Sequence, residues 1–102
     1  MEIRSAQKLT WKNKIAKGFN TSEVPLEFCL LQGEVAEAFH AWRRAAESLG
    51  EELADIAIYV MSLAEMTGVD LQIAIEEKLA KNAKRTYVTD EASGTLIKAD
   101  PS

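Results

Sequence analysis

Cysteine, proline and net positive charge are all scarce in this sequence. The 102 residues include one cysteine, Cys29, and two prolines. A lone cysteine excludes a disulfide within the chain and is typical of reducing compartments, so we predict a cytoplasmic protein. The net charge of −4 makes the chain a poor candidate for gripping the phosphate backbone of a nucleic-acid polymer.

Long apolar runs are missing as well. No run approaches the roughly 20 residues that a helix needs to span a bilayer. The first residues, MEIRSAQKLTWKNK, lack the apolar core of a secretory signal. We therefore expect no membrane contact. A hydrophobic fraction of 47% and a charged fraction of 27% are those of an ordinary globular domain.

Helical periodicity is what the sequence does contain. Apolar residues recur at three- and four-residue spacings, which predicts helices over about residues 3–17, 23–46, 49–66 and 71–85. Short connectors predict antiparallel neighbours, so the expected fold class is all-α, an antiparallel helical bundle of about four helices. The segments TYVT and TLIK flank the turn-like DEASG, which predicts a short C-terminal hairpin; an extended or flexible tail is the alternative.

Capping signals mark several of these helix ends. Ser22, with Pro25 in the first turn, is the predicted N-cap of the second helix. Ser48 and Glu51 have the spacing of a capping box for the third helix. Gly68 is the predicted stop of that helix.

Two acidic pairs interrupt the apolar pattern. Glu34 and Glu37 lie in GEVAEAF, and Glu52 and Asp55 lie in GEELADIAIYVM. Residues three apart share one face of a helix, so in antiparallel helices both pairs can face each other. Four gathered carboxylates would repel strongly without a counter-charge. A hard divalent cation with oxygen ligands resolves this, and Mg²⁺ suits carboxylates, retained water and phosphate.

A solvated surface is the competing interpretation of the acidic pairs. Glutamates at this spacing are common on water-facing helix surfaces. Asp55 lies on a polar stripe of an otherwise apolar helix, together with Glu51, Glu52, Tyr59 and Ser62. Such a stripe fits either the wet edge of a bundle or the lining of a polar cleft, and periodicity alone does not choose between them.

A second constellation lies on the predicted fourth helix. Lys78, Asn82 and Arg85 follow one another at i, i+4 and i+7, which places them on one stripe. Two cations and an amide suit phosphate oxygens and the edge of a sugar or base. The alternative is that the basic residues interact with the dipole at the end of the helix.

Both acidic pairs, the 14 residues between Glu37 and Glu52, and the downstream segment GVDLQIAIEEKLAKNAKR resemble the MazG-like nucleoside triphosphate pyrophosphohydrolases. That family is marked by an ExxE pair, a short spacer and an ExxD pair, and its fourth helix commonly carries a lysine, an asparagine and a further basic residue. The resemblance covers about residues 22–87 and implies a MazG-like helical domain over residues 1–87 with a C-terminal tail over 88–102.

The resemblance implies an all-α hydrolase that uses Mg²⁺, with Mn²⁺ as a possible substitute. Its reaction would cut a (deoxy)nucleoside triphosphate into a monophosphate and pyrophosphate, a chemistry suited to clearing nucleotide pools. The implied metal ligands are Glu34, Glu37, Glu52 and Asp55. Glu37 or Glu34 is the candidate general base for the attacking water. The implied substrate-binding residues are Lys78, Asn82 and Arg85.

Association is a further expectation. The second and third helices are apolar over much of their circumference, more than a small monomer covers. The resemblance likewise implies a homodimer or homotetramer. A function of another class stays open: a non-catalytic helical interaction module whose acidic stripe is solvated or meets a basic partner.

Overall fold

Four helices and one β-hairpin form the protein in the computed structural model, which describes residues 1–99. The helices are α1 (Ile3–Lys17), α2 (Val24–Arg43), α3 (Leu49–Thr67) and α4 (Leu71–Lys84), and the strands are β1 (Tyr87–Thr89) and β2 (Leu96–Lys98). The predicted all-α class is confirmed, and the hairpin is the correct alternative for the C-terminal segment. The last three residues of the predicted tail lie outside the described part of the chain.

The chain divides into two compact units, Met1–Gln72 and a second unit that begins at Ile73. In the first unit α3 packs against both α2 and α1. Its buried apolar side chains are small apart from one leucine: Ala38, Ala41, Leu63 and Ala64. The second unit contains most of α4 and the antiparallel hairpin, in which Tyr87 pairs with Lys98 and Thr89 with Leu96.

Large apolar side chains on α2 remain exposed. Phe28, Val35 and Phe39 are about half exposed, and Trp42 is 64% exposed. The first unit therefore buries alanines between its helices and leaves aromatic surface in water. No single helix within residues 1–99 is long and apolar enough to span a membrane.

The two central helices end in left-handed turns. Gly68 has φ 73° and follows α3, and the Val69 N–H donates to the Ala64 carbonyl at 2.8 Å, so the predicted stop is confirmed. The predicted end of α2 near residue 46 is wrong, because the helix stops at Arg43. Ala45 takes φ 52° there without being glycine, and nothing in the sequence marks an alanine for that conformation.

The predicted caps are wrong in detail. The N-cap of α2 is Glu23 rather than Ser22. The Asn20 side-chain oxygen accepts from the Glu23 N–H at 2.9 Å, so a residue of the connector stabilises the start of α2. Ser48 does occupy the N-cap of α3, but its side chain makes no capping hydrogen bond, and no capping box forms with Glu51.

Candidate metal centre and adjoining cleft

The acidic pairs of α2 and α3 meet in the first unit. One carboxylate oxygen each from Glu34, Glu37 and Glu52 lies within 4.8 Å of the other two. This contact requires the ExxE pair to oppose the ExxD pair across antiparallel helices. The structure therefore brings together three of the four residues that the sequence singles out as ligands.

Asp55, the fourth predicted ligand, lies beside this cluster. It is exposed and borders the same cleft as Glu34. Its negative charge contributes to raising the pKa of both Glu34 and Glu52. Its oxygens are not part of the closely spaced set, so its role as a ligand stays a prediction. Asp55, Tyr59 and Ser62 of its stripe line this cleft, while Asp55 itself stays exposed to water.

The cluster is electrostatically unfavourable without a cation. Burial, followed by repulsion from Glu37 and Asp55, raises the pKa of Glu34 above its usual value. The same causes raise the pKa of Glu52. Within residues 1–99, Glu34 Oε2 is sheltered from water and has no hydrogen-bond partner. A buried carboxylate oxygen without a donor is costly unless a cation reaches it.

These residues fit a hard divalent cation. Mg²⁺ binds oxygen at about 2.0–2.1 Å in an octahedron, which places its ligand atoms about 3–4 Å apart. The oxygens of Glu34, Glu37 and Glu52 lie within 4.8 Å of one another, so small side-chain rotations suffice to gather them. The unpartnered Glu34 oxygen supplies a lone pair that no protein donor occupies. All three ligands are oxygens, as Mg²⁺ or Mn²⁺ prefers.

A cleft of about 610 Å³ adjoins the cluster in the first unit. Glu34 and Asp55 form part of its wall. Its other lining residues combine apolar surface with neutral polar groups and the charged Lys14 and Glu27; the uncharged ones are Leu9, Leu30, Ile58, Phe19, Thr10, Asn13, Asn20, Tyr59 and Ser62. A cleft of this size, mostly apolar with a few convergent polar groups, is suited to a small organic ligand.

Tyr59 presents a protonated phenol to this cleft. Burial, followed by the negative charges of Glu34 and Glu27, raises the pKa of Tyr59 above its usual value of 10.0. The group therefore remains a hydrogen-bond donor across the physiological pH range. Tyr59 lies one helical turn after Asp55, so the two share a face of α3.

A buried ion pair that the sequence analysis did not predict lies at the wall of the cleft. Glu27 has no exposed surface, and its Oε2 accepts from Lys14 Nζ at 2.7 Å and from Ser62 Oγ at 2.6 Å. Asn20 Nδ2 donates to Oε1 at 3.2 Å. Every donor comes from a different element: α1, α3 and the α1–α2 connector. We call Lys14, Asn20, Glu27 and Ser62 the polar core.

Glu27 is held in its charged form by these partners. Burial works to raise its pKa, but the hydrogen bonds from Lys14, Ser62 and Asn20, together with the Lys14 charge, outweigh burial and lower the pKa below its usual value. The polar core is therefore an internal ion pair whose lone pairs are satisfied.

The predicted substrate-binding residues lie in the second unit. Arg85 Nη1 donates to Asn82 Oδ1 at 3.3 Å, while Arg85 Nε is sheltered and has no hydrogen-bond partner among the described residues. The charge of Arg85, followed by burial, Lys81 and Lys98, lowers the pKa of Lys78 below its usual value. The stripe is thus a cluster of like positive charge, joined by Lys98 from β2, which sequence spacing did not include.

One signal in the sequence could have indicated the polar core. Glu27 lies seven residues before Glu34, and Ser62 lies seven residues after Asp55, so each continues the polar face of its helix by two turns. Lys14 and Asn20 carry no such mark, because only packing brings them to Glu27.

Comparison with known proteins supports the resemblance. A family model described as MazG-like family matches residues 15–95. Searches of curated proteins and of solved structures gave no significant match. The matched segment contains both acidic pairs, the stripe of α4 and the first strand of the hairpin. Because it covers well over half of the 102 residues, the chain belongs to the MazG-like family.

Proposed function

We propose that this protein is a Mg²⁺-dependent nucleoside triphosphate pyrophosphohydrolase that releases pyrophosphate and a nucleoside monophosphate. Membership of the MazG-like family suggests nucleotide pyrophosphohydrolase activity. The observation that carries the proposal is the close approach of Glu34, Glu37 and Glu52 beside a cleft of about 610 Å³. A cation-binding cluster next to an organic ligand site is what hydrolysis of a nucleotide requires.

The carboxylates divide the chemical work. Glu34, Glu37, Glu52 and Asp55 are the proposed ligands, and a bound Mg²⁺ supplies neutralisation of phosphate charge and a more acidic water. Glu37, or Glu34, is the proposed base that takes the proton of the attacking water.

The cleft would hold the nucleoside. Leu9, Leu30 and Ile58 offer apolar contact to a planar base, while Asn13 and Tyr59 offer hydrogen bonds to its edge or to the sugar. Because Tyr59 stays protonated, it can donate to a ligand oxygen. Both ribo- and deoxyribonucleotides fit this chemistry.

The stripe on α4 would bind the phosphates. Lys78 and Arg85 carry like charges that lower the pKa of Lys78, so a phosphate anion relieves their repulsion. The Arg85 Nε group, which lacks a partner in residues 1–99, is a donor available to an oxygen. Asn82 already contacts Arg85 and can orient it.

The functional form would be a homodimer or homotetramer. Apolar surface is exposed along α2 at Phe28, Val35, Phe39 and Trp42. Together these side chains could form the core of an interface. A second copy of the chain is proposed to pack against this apolar surface of α2.

The deciding experiment measures pyrophosphate release from ribo- and deoxyribonucleoside triphosphates, with Mg²⁺, with Mn²⁺ and with chelator. We expect release that requires the metal and is lost in Asp55→Asn but kept in Glu51→Gln, a neighbouring charge outside the cluster. No release, together with no Mg²⁺-dependent rise in melting temperature, would contradict the proposal and favour the interaction module.

A further inference from the structure

We infer that the polar core positions the metal centre, with the Glu27–Ser62 hydrogen bond fixing the register in which α2 lies against α3. The inference rests on the proposed function, since it assigns a role toward the same carboxylates. None of the polar core residues belongs to the close carboxylate set, so their role would be positioning rather than catalytic.

The hydrogen bond and the acidic pairs lie in one register. Glu34 comes seven residues after Glu27, and Asp55 comes seven residues before Ser62. Glu37 comes three residues after Glu34, and Glu52 comes three residues before Asp55. In antiparallel helices residues that advance equally in opposite directions stay opposed. The opposed pairs are therefore Glu27 with Ser62, Glu34 with Asp55, and Glu37 with Glu52.

Seven residues are almost two whole helical turns, so the opposed pairs share one seam. At 1.5 Å per residue the Glu27–Ser62 bond lies about 10 Å along the helices from the Glu34–Asp55 level. An error in register at one level is therefore transmitted to the other, because a helix is stiff over two turns. The 2.6 Å bond leaves little freedom for such an error.

The buried alanines between α2 and α3 define this register only weakly. Ala38, Ala41 and Ala64 are buried on the two helices. Because alanine side chains are small and alike, they would pack almost equally well if one helix shifted by a turn along the other. The enclosed carboxylate discriminates far more strongly. A shift of four residues would set Glu27 against Ile58 or Met66, neither of which donates a hydrogen bond.

Lys14 and Asn20 hold the elements around the Glu27–Ser62 hydrogen bond in place. Lys14 ties α1 to Glu27 at 2.7 Å and removes the cost of its buried charge. Asn20 joins the connector to Glu27 and also accepts from the Glu23 N–H. The same four residues line the cleft, so one network holds both the register and the wall beside the metal centre.

The test compares Ser62→Ala with Gln7→Met. Ser62→Ala removes the hydroxyl and leaves every proposed ligand intact. Gln7 is the matched control, because it too is buried and makes two hydrogen bonds, to the Val69 carbonyl and from the Leu71 N–H, away from the α2–α3 seam. Mn²⁺ affinity is measured by electron paramagnetic resonance without nucleotide, at a temperature where denaturation curves show both variants folded.

We expect Ser62→Ala to weaken Mn²⁺ binding about tenfold, the range seen when an outer partner of a metal site is lost. Gln7→Met should bind Mn²⁺ as the wild type does, even where its melting temperature is equally lowered. The double variant Lys14→Met with Glu27→Gln keeps an acceptor for Ser62 without a buried unpaired charge, and it should retain most of the affinity.

The outcomes separate the two proposals. Equal Mn²⁺ affinity in Ser62→Ala and Gln7→Met, with a wild type that binds Mn²⁺ and releases pyrophosphate, would overturn the positioning role alone. A wild type that neither binds Mn²⁺ nor hydrolyses any triphosphate would overturn both.

Discussion

Glu37 of α2 and Glu52 of α3 oppose each other across the helix pair, with carboxylate oxygens within 4.8 Å. The charge of Glu37 adds to burial in raising the pKa of Glu52. In the metal-free protein these two carboxylates repel each other, and a bound divalent cation would remove that repulsion.

Glu52→Gln should lower kcat/KM for pyrophosphate release by about 100-fold or more while the fold is kept. Glutamine preserves the shape of the side chain but supplies a neutral amide in place of a charged ligand. Steady-state kinetics and circular dichroism measure the two effects. Glu51→Gln, one residue away, is the control and should retain activity. Gross unfolding of Glu52→Gln would make that residue structural.

The stability of the metal-free protein should fall as pH rises above about 4.5. Glu34 and Glu52 have raised pKa values, so they bind protons more tightly in the folded than in the unfolded chain. Their unfavourable contribution therefore appears from the ordinary value of 4.5 upward, through the raised pKa values. Urea denaturation with chelator should show a weaker fall in Glu34→Gln. A pH-independent difference between the two proteins would contradict this account.

Mg²⁺ should counter that fall in stability. Because the metal competes with protons for the same carboxylates, its stabilising effect should grow as pH rises over the same window. The measurement is the shift in melting temperature on adding Mg²⁺, at several pH values. A shift that is constant with pH, or equal in Glu34→Gln, would separate Mg²⁺ binding from this cluster.

The ion pair of the polar core should dominate the stability of the first unit. Lys14→Met leaves the enclosed Glu27 carboxylate without its cation, a loss of about 3–5 kcal/mol in the free energy of unfolding. Combining it with Glu27→Gln should recover much of that loss, because no buried charge remains. Chemical denaturation of the single and double variants gives the coupling energy. Additive losses would show that the pair is not energetically coupled.

Lys78→Met should lower kcat/KM for a nucleoside triphosphate about 10- to 100-fold, the value of one hydrogen bond to a charged group, about 1.5–3 kcal/mol. The loss follows if Lys78 binds a phosphate oxygen. Lys84→Met, at the last residue of α4, removes the same charge outside the stripe and should have little effect. Equal effects of both variants would point to general electrostatic attraction instead.

Trp42→Lys should reduce the molar mass of the protein assembly measured by light scattering. Trp42 is 64% exposed at the end of the apolar face of α2, and a lysine there would have to lose its water in any interface. Glu47→Gln on the α2–α3 connector changes the net charge by the same one unit and controls for that change. A wild type that runs as a monomer at all concentrations would contradict association through this face.

Local periodicity was sufficient to predict the helices and the acidic cluster. Apolar spacing located all four helices because each carries apolar residues along one face. Glu34, Glu37 and Glu52 came together because i, i+3 pairs on antiparallel neighbours have few other arrangements. Spacing could not predict that α2 would end at Arg43. That end depends on Ala45 taking a conformation for which alanine has no preference.

The sequence by itself determined the helical class, the family and the acidic residues that come together between α2 and α3, since all three follow from periodicity and from short motifs within single helices. Only the tertiary structure decided that Glu27 is enclosed and that Lys14, Asn20 and Ser62 converge on it. The physical reason is that burial and hydrogen-bond partners arise between elements distant in the chain, whereas a helical pattern records only its neighbours three and four residues away.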